Sequence, residues 1–535
     1  MVIEATDIAT DIHDASGADM ASSVTDALEP TRIFDLVEQG AQHAPDAVAL
    51  RQDDTEWTYG TLHRAAMQAA AEFARRGVVR GDRVLIVADN SLAQVAAFFG
   101  AAALGAWPSM LNARSSPREI DTIRDHARPR VIVYTSGTSP EAAAHAARHG
   151  AEAAKSLAET YNATLAWGKP DASAEAESGP DVDRVAALIY TSGTTGAPKG
   201  VMVTHAGLLN FAGRSARIRR LSPSDLVLGA LPLSHIFGCA TILLTSLRAH
   251  ASVWLLPRFE AAEVVDALER GRLTVLHGVP TLYGRLVAEM ERRDRKGPFP
   301  ALRYAYVGGG ALEPALKRRI EQALALPVHH GYGMTEYAGS MFVTHVDRPR
   351  SDALPGDLAP DCEARFVRPD GSDADRGEPG EIWVRGPGTM LGYYRQPELT
   401  RATLTPDGWL RTGDLGHLED DGALRIVGRG RDIIKRSGFI VHPLEIEQQL
   451  MEHPAVRLAG VVGVAGEDGD ERIVAFVEPR APDDSLDVTM LLQFARERLS
   501  PYKCPQHVVQ VRELPLTANG KIRKHDLRDL WQSRS

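Results

Sequence analysis

The sequence predicts an α/β protein with more than one domain, and three observations lead to this class. The chain has 535 residues, of which 44% are hydrophobic and 24% charged, so it has the length and the apolar material for several packed domains. From about residue 31, short apolar runs alternate with longer amphipathic runs, which is typical of parallel sheets covered by helices. After Gly356 the runs become short and are separated by Gly, Pro and Asp, which predicts a β-rich subdomain.

Changes of pattern along the chain predict the domain boundaries. Residues 1–30 contain no Lys or Arg, an order of charges opposite to that of a signal or transit peptide, and we expect a disordered acidic tail there. Residues 31–430 are predicted to form a large N-terminal domain of parallel sheets flanked by helices, together with the β-rich subdomain. Residues 431–535 have a compact mixed pattern and are predicted to form a small α+β C-terminal domain.

Within the large domain, the apolar runs predicted as parallel strands are residues 83–88, 130–134, 186–190, 273–277 and 303–307. The most apolar stretch, 92–108, is interrupted by Gln94 and two glycines and falls short of the roughly 20 residues that a membrane span needs. We therefore expect a buried helix in that stretch. Residues 168–183, rich in Pro, Ser, Glu and Asp, predict a surface connection.

Charge and cysteine content narrow the class of protein. The net charge of −10 gives no electrostatic reason to expect a nucleic-acid partner. Cys239, Cys362 and Cys504 lie far apart, form no CxxC pair and cannot all be paired within the chain, which favours a reducing cytoplasm.

The strongest motif is residues 189–200, Ile-Tyr-Thr-Ser-Gly-Thr-Thr-Gly-Ala-Pro-Lys-Gly, an apolar strand that enters a loop of small residues ending in a lysine. Glycine lets backbone N–H groups approach phosphate oxygens, while hydroxyls and Lys199 add donors and charge. The loop is not a Walker A motif, because Pro198 and Gly200 stand where Gly and Ser or Thr are required. A near copy at 134–138 lacks the second glycine and the lysine, and we assign it no phosphate role.

Five further motifs occur in order: Gly308-Gly-Gly-Ala311, Gly331-Tyr-Gly-Met-Thr-Glu336, Trp409-Leu-Arg-Thr-Gly-Asp414, Gly428-Arg-Gly-Arg-Asp432 and Leu516-Thr-Ala-Asn-Gly-Lys-Ile522. With the phosphate loop, they resemble the adenylate-forming superfamily of acyl-CoA synthetases, aryl-CoA ligases, peptide-synthetase adenylation domains and luciferases. The resemblance runs from about residue 31 to 530 and is closest to fatty- or aryl-acid CoA ligases. It implies that ATP and Mg²⁺ activate a carboxylic acid as an acyl-adenylate, which then passes to a thiol such as that of CoA.

The resemblance also implies roles for individual residues. Lys521, Thr335, Glu336 and Lys199 would be catalytic, with Glu336 holding Mg²⁺ and Lys521 bridging the acid and the α-phosphate. Asp414 would accept the ribose hydroxyls, Tyr332 would stack on adenine, and Arg429 would contact ribose or phosphate. The full set of expected ATP-binding residues is Thr191, Ser192, Gly193, Thr194, Thr195, Gly196, Lys199, Gly308, Gly309, Gly310, Ala311, Tyr332, Gly333, Met334, Thr335, Asp414, Arg429 and Lys521.

By the same resemblance, the C-terminal domain is mobile and rotates between the two half-reactions. The family usually carries Asp or Lys at the hinge, and this sequence has Arg431. After rotation, the residues expected to face CoA are Lys435, Ser437, Gly438 and Phe439, with Gly438 bordering the pantetheine tunnel because it has no side chain. Lys503 is a weaker candidate for screening CoA phosphates.

The acyl pocket is expected around residues 231–238, Leu-Pro-Leu-Ser-His-Ile-Phe-Gly, in which His235 would shape the pocket. The predicted acyl-binding residues are His235, Phe237, Gly238, Tyr306 and Tyr337. No carboxylate follows this segment to bind an amino group, which disfavours an amino acid, and no cation is assigned for a dicarboxylate. A fatty, an aromatic and an alicyclic monocarboxylic acid all remain open.

The leading hypothesis is therefore an AMP-forming acyl-CoA ligase that uses a small carboxylic acid, ATP and CoA. A stand-alone enzyme that loads the phosphopantetheine of a carrier protein needs the same adenylating residues and is the alternative. A non-catalytic scaffold is disfavoured because Lys199, Glu336, Asp414 and Lys521 are intact. Neither GxSxG nor HExxH occurs, so the sequence favours neither a serine hydrolase nor a zincin.

Overall fold

A computed structural model describes residues 3–4, 29–154, 164–168, 170–192, 198–436, 439–465, 471–481, 484–517 and 520–534. It confirms the α/β class: a large N-terminal part with parallel sheets and a smaller C-terminal part. One hydrophobic core extends from Ile33 to Leu424, and a separate core begins at Ile434. No helix among the described residues is long and apolar enough to cross a bilayer.

The central sheet has nine strands, and its six middle strands are parallel neighbours. Antiparallel strands close both edges. The order is Asp357–Leu358, Gly339–Val343, Val328–Met334, Tyr304–Val307, Val275–Gly278, Leu226–Gly229, Ser252–Leu255, Val48–Gln52 and Thr55–Thr58. The predicted strands at 273–277 and 303–307 lie side by side here. Their side chains are buried, which explains why they read as continuous apolar runs.

A second sheet of five strands contains the predicted strands at 83–88 and 130–134. Its order is Trp107–Asn112, Arg83–Ala88, Val131–Tyr134, Ala166–Trp167 and Glu152–Ala153, with the first three strands parallel. The apolar stretch 92–108 divides into the helix Leu92–Ala103 and the start of the strand Trp107–Asn112. The predicted buried helix is therefore correct, and it begins where the Ser91 hydroxyl accepts from the Gln94 N–H.

The strand Val185–Ser192 departs from the prediction of a parallel sheet. It pairs antiparallel with Pro198–Thr204, which pairs antiparallel with Gly392–Tyr393 in a separate three-stranded sheet. Both faces of Val185–Ile189 are covered, so every side chain of this stretch is apolar and buried. A buried hairpin strand and a buried parallel strand have the same pattern, and periodicity alone cannot distinguish them. The hairpin brings both ends of the phosphate loop together.

The β-rich subdomain after Gly356 is a five-stranded antiparallel sheet, as the short strands predicted. Its order is Ile3–Glu4, Glu363–Val367, Gly380–Arg385, Leu410–Leu418 and Leu424–Arg429. The prediction of a disordered tail over residues 1–30 is wrong at Ile3 and Glu4, which pair with Ala364 and Glu363. Residues 5–28 of that tail lie outside the described residues.

The C-terminal part contains a two-stranded hairpin and a three-stranded sheet. The strands are Ile434–Arg436 with Phe439–Val441, and Val456–Ala465, Glu471–Pro479 and His507–Gln510. The helices of this part are Pro443–Met451, Val488–Arg498 and Lys524–Gln532, with a short turn of helix at Pro501–Lys503. This mixture agrees with the predicted α+β character.

Helices cover the sheets of the N-terminal part. They are Asp35–His43, Tyr59–Arg75, Leu92–Ala103, Pro117–Ala127, Pro140–Arg148, His205–Ile218, Phe237–Leu244, Thr245–Arg248, Ala261–Glu269, Pro280–Arg292, Pro314–Leu324 and Pro397–Thr403, with short turns at Thr335–Tyr337 and Gly430–Asp432. The region 170–183, predicted as a surface connection, contains no helix or strand among its described residues.

Candidate active site

The candidate site lies at the carboxyl ends of neighbouring parallel strands, where open α/β sheets usually bind ligands. Gly278 pairs with Val307, and Val307 pairs with His330, so these strands end close together. The segments that follow them carry Gly308 to Ala311 and the Gly331–Glu336 motif. The fold thereby brings two of the predicted motif segments to one edge.

Asp414, the residue expected to accept the ribose hydroxyls, is held by two donors. The Tyr332 hydroxyl donates to Asp414 Oδ2 at 2.6 Å, and Arg429 Nε donates to Oδ1 at 2.9 Å. Asp414 and Arg429 face each other across neighbouring strands, and Asp414 is 8% exposed. Burial raises the pKa of Tyr332 well above its ordinary value, and the Asp414 carboxylate adds to the rise. The tyrosine therefore stays protonated and the aspartate is positioned to accept further hydroxyl groups.

The phosphate loop connects the two strands of the hairpin described above. Ser192 pairs with Pro198 and Thr191 with Lys199, so Thr191 and Lys199 lie opposite each other at the base of the loop. Gly193, Thr194, Thr195 and Gly196 lie outside the described residues, as does the Ser192 side chain. Lys199 Nζ is 5.2 Å from the centroid of the Tyr393 ring, a cation–π distance.

Glu336 lies in the short turn Thr335–Tyr337, next to the phosphate hairpin. Its Oε1 accepts from the Tyr393 hydroxyl at 2.8 Å, and its backbone carbonyl accepts from the Met390 N–H at 2.8 Å. The described residues contain no group of three or more His, Cys, Asp or Glu side chains that could hold a metal ion. A single carboxylate fits Mg²⁺, which keeps several waters and binds through one or two carboxylates plus substrate phosphates.

Thr335, Gly333, Met334 and Ala311, which were also expected to bind ATP, lie among the described residues. Thr335 is 4% exposed, whereas Gly333 and Ala311 lie at the surface. Gly309 has φ of +74°, the left-handed region that favours glycine. A side chain at Gly333 would collide with the carbonyl of Gly339 at 2.3 Å, so the strand pairing itself requires glycine there.

On the acyl side, aromatic rings pack beneath Gly308. A methyl group on Gly308 would lie 3.0 Å from both the Phe237 and the Tyr306 rings. The centroids of these two rings are 5.8 Å apart in an edge-to-face arrangement, and the Tyr306 hydroxyl is 3.0 Å from Ser340 Oγ. His277, which the sequence did not single out, is fully buried with its ring 5.9 Å from that of Tyr306. Phe237, Tyr306 and His277 thus form a packed layer of rings in the region expected to bind the acid. This aromatic floor is also called the acyl floor below.

Two predicted acyl residues have a different environment. Tyr337 is 1% exposed, and its hydroxyl donates to Cys362 Sγ at 3.1 Å, toward the β-rich subdomain rather than the aromatic floor. Gly238 is required by backbone packing, because a methyl group on it would lie 2.2 Å from the Pro232 carbonyl oxygen. Neither residue is brought into the floor beneath Gly308.

The Lys521 segment lies against the helix that follows the strand Val275–Gly278. A methyl group on Gly520 would lie 3.0 Å from Thr281 Oγ1, so the C-terminal loop rests on the helix Pro280–Arg292. Burial lowers the pKa of His235 to about 4, and the positive charge of Lys521 contributes to this shift. His235 is therefore neutral near pH 7, and the charge of Lys521 acts on its ring.

Most of the residues expected to face CoA have side chains that lie outside the described part of the chain. Ser437, Gly438 and the side chains of Arg431, Lys435 and Phe439 lie outside the described residues. The backbones of Lys435 and Phe439 belong to the two hairpin strands that flank residues 437 and 438. Lys503, the weaker CoA candidate, forms an ion pair with Glu445 at 2.6 Å.

Sequence reasoning missed Tyr393, which contacts both Glu336 and Lys199. The signal lay in Leu391-Gly-Tyr-Tyr394, a short strand whose tyrosines read as ordinary core residues. Its hydrogen-bonded pairing with the strand Pro198–Thr204 depends on residues nearly 200 positions apart and cannot be seen in a local pattern. His277 was missed for a similar reason, since a lone histidine in a buried strand carries no motif.

Comparison with known proteins shows the family of the chain. The family model of AMP-binding enzymes matches residues 37–394, and that of the AMP-binding enzyme C-terminal domain matches 445–521. The chain is 34% identical to 4-coumarate–CoA ligase 2 of Oryza sativa subsp. japonica, covering 91% of this chain and 90% of that protein. It is 32% identical to indoleacetate–CoA ligase of Aromatoleum aromaticum, covering 93% and 98%.

A solved structure extends the comparison to the nucleotide. O-succinylbenzoate coenzyme A synthetase from Bacillus subtilis, in complex with ATP and a magnesium ion, superimposes with a TM-score of 0.79 at 28% identity, covering 92% of this chain and 99% of that one. The chain belongs to the AMP-binding enzyme family and is an ATP- and Mg²⁺-dependent ligase that forms an acyl-adenylate and transfers the acyl group to CoA.

Proposed function

We propose that the acid is an aromatic or arylalkyl monocarboxylic acid. The observation that carries this proposal is the closed floor of Phe237, His277 and Tyr306 beneath Gly308. Phe237 and His277 both pack edge-to-face against Tyr306, which makes the layer beneath Gly308 rigid and rich in aromatic rings. The Tyr306 hydroxyl is 3.0 Å from Ser340 Oγ and the tyrosine is buried, so this packed layer favours a short slot for a ring over the deep tunnel that a long fatty chain would need. The relatives named for 4-coumarate and indoleacetate support the same class.

In the proposed adenylation step, an oxygen of the acid carboxylate attacks the α-phosphorus of ATP. The bond from that phosphorus to the oxygen bridging to the β-phosphate breaks, and pyrophosphate leaves with the bond electrons. Lys521 is proposed to neutralise the negative charge shared by the two reacting groups. His235 is neutral and adds no competing charge, since the pKa of its ring is about 4. Preorganised charge of this kind is the main source of catalysis in phosphoryl transfer.

The phosphates are proposed to bind at the hairpin that carries Thr191 and Lys199. Glu336 is the proposed ligand of Mg²⁺, which neutralises phosphate charge when bound. Tyr393 is proposed to position both groups, because its hydroxyl holds the Glu336 carboxylate while its ring faces the Lys199 ammonium. Asp414 is proposed to accept the ribose hydroxyls, supported by its bonds from Tyr332 and Arg429.

In the proposed transfer step, the CoA sulfur attacks the acyl carbonyl, the carbonyl carbon loses its bond to AMP, and the thiol proton leaves to solvent. Lys435, Ser437, Gly438 and Phe439 are proposed to line the thiol path after the C-terminal domain rotates about Arg431. A second candidate function, loading of a carrier protein, uses the same adenylating residues. We further propose a cytoplasmic location, supported by three free and buried cysteines.

The test is thioester formation, with product mass, from 4-coumarate, indoleacetate, benzoate, octanoate and cyclohexanecarboxylate, each with ATP, Mg²⁺ and CoA. We expect aromatic acids to give the highest kcat/KM, by tenfold or more over octanoate. A preference for octanoate would overturn the aromatic assignment. Adenylate release without a CoA thioester would favour the carrier-protein function instead.

A further inference from the structure

A small cavity lies between the helix His205–Ile218 and the strand Gly339–Val343, behind the acyl floor. Its lining is Phe211, Arg214, Ser215, Ile218, Arg219, Ser340 and Val343. About 10 Å³ of it is open to the centre of a water-sized sphere, which is room for one particle of roughly that size. None of the residues assigned above to ATP, Mg²⁺ or CoA lines it.

Two buried arginines are among the residues that line this cavity. Arg214 is 3% exposed and Arg219 is 1% exposed. Arg214 donates only to neutral groups, at 3.0 Å to the Pro360 carbonyl, 3.2 Å to Cys362 Sγ and 2.6 Å to the Ser340 carbonyl. Within the part of the chain that the structure describes, no carboxylate forms an ion pair with either arginine. Buried charges are normally paired, because burial of an isolated ion costs several kcal/mol.

Two hydrogen-bond donors in the cavity lining also lack partners. Arg219 Nε and Ser215 Oγ are buried and make no hydrogen bond in the described part of the chain. The Arg219 guanidinium lies 4.6 Å from the centroid of the Tyr306 ring and has a polar contact with the neutral Tyr304 hydroxyl, and these contacts compensate its charge only in part. The missing ligand must therefore accept hydrogen bonds, be about as small as a water molecule, and carry negative charge. A water molecule meets the first two conditions and leaves both cations uncompensated.

We propose that this cavity binds a single halide-sized inorganic anion, with chloride the abundant candidate. The anion would accept from Arg219 Nε and the Ser215 hydroxyl and would offset the charge of the two arginines. It would also fix Arg219 against Tyr306, whose hydroxyl is tied to Ser340 at the edge of the same cavity. The link from the anion to acid binding rests on the proposed function, whereas the anion site itself does not.

The site is tested by thermal unfolding of the full chain without substrates, in sodium chloride and in sodium gluconate at equal ionic strength. We expect a saturable rise in Tm with chloride, because a ligand that binds only the folded state stabilises it. Ser215→Ala removes one donor without changing charge. It should raise the chloride concentration that gives half of the rise in Tm at least threefold. Ser246→Ala is the matched control, since Ser246 has a buried, unpartnered hydroxyl on another helix and should leave the response unchanged.

A crystal grown in sodium bromide locates the ligand directly. An anomalous bromine peak between Arg219 and Ser215 supports the site. A water-sized peak without anomalous signal, no chloride-specific rise in Tm, or equal responses of the two serine variants would overturn it. Halide binding that leaves the KM of the aromatic acid unchanged would keep the site and refute its link to the acyl floor.

Discussion

Replacing Tyr393 with Phe isolates one hydrogen bond in the proposed phosphate and metal site. The change removes the 2.8 Å bond from the hydroxyl to Glu336 Oε1 and keeps the ring that faces Lys199 at 5.2 Å. A hydrogen bond to a charged group contributes about 1.5–3 kcal/mol. Glu336 is only half-buried and water can replace part of the bond, so the lower value applies and corresponds to a loss of about tenfold.

The assay is ATP–pyrophosphate exchange measured across a series of free Mg²⁺ concentrations. We expect Tyr393→Phe to lower kcat/KM for ATP about tenfold and to shift the Mg²⁺ dependence to higher concentration. Tyr394→Phe is the matched control, because the neighbouring hydroxyl donates at 2.6 Å to Glu177 and makes no bond to Glu336. Equal losses in the two variants, or an unchanged Mg²⁺ dependence in Tyr393→Phe, would refute the positioning role.

Three further predictions concern stability, the acyl floor and the thiol path. Burial raises the pKa of Glu313 to about 7 from an ordinary value of 4.5, so the folded chain binds more protons between those values and loses stability as pH rises through that window. Glu313→Gln should therefore raise the free energy of unfolding above pH 7 by up to about 3 kcal/mol and flatten its pH profile; an unchanged denaturant profile at pH 8 would contradict the shift. Gly331→Ala places a methyl group 2.3 Å from the Tyr306 hydroxyl, so Tm should fall and the KM of the aromatic acid should rise, and normal values for both would argue against a rigid floor. Gly438→Leu should slow thioester formation more than pyrophosphate release, and equal slowing would remove the tunnel assignment.

The sequence predicted the fold best where the pattern is long and local. The predictions are correct for the strands at 273–277 and 303–307 and for the helix in 92–108. The lengths of these apolar runs distinguish a strand from a helix, and a capping residue marks the start of the helix. The strand Val185–Ser192 was placed in the wrong kind of sheet because apolarity reports burial and carries no information on strand direction. The pairing of Ile3 with Ala364 joins residues 361 positions apart and leaves no local signal.

The candidate site shows the same division. Motif residues such as Asp414, Glu336 and Lys521 belong to short segments that follow one another along the chain, and a single sequence is enough to find them. Tyr393, His277 and Arg219 act through contacts between distant segments, and each resembles an ordinary core residue in its own segment. Tyr337 illustrates the reverse error, because an aromatic residue beside the motif faces Cys362 instead of the acyl floor.

Lys521 is proposed to serve adenylation at a site shared by the two parts of the chain. Single-turnover kinetics of Lys521→Ala test it most directly, with both half-reactions measured on the preferred aromatic acid. We predict that adenylate formation falls at least a hundredfold, while transfer to CoA from a supplied acyl-adenylate stays within threefold of the unchanged enzyme. Equal losses in both half-reactions, or normal adenylate formation, would contradict this role of Lys521.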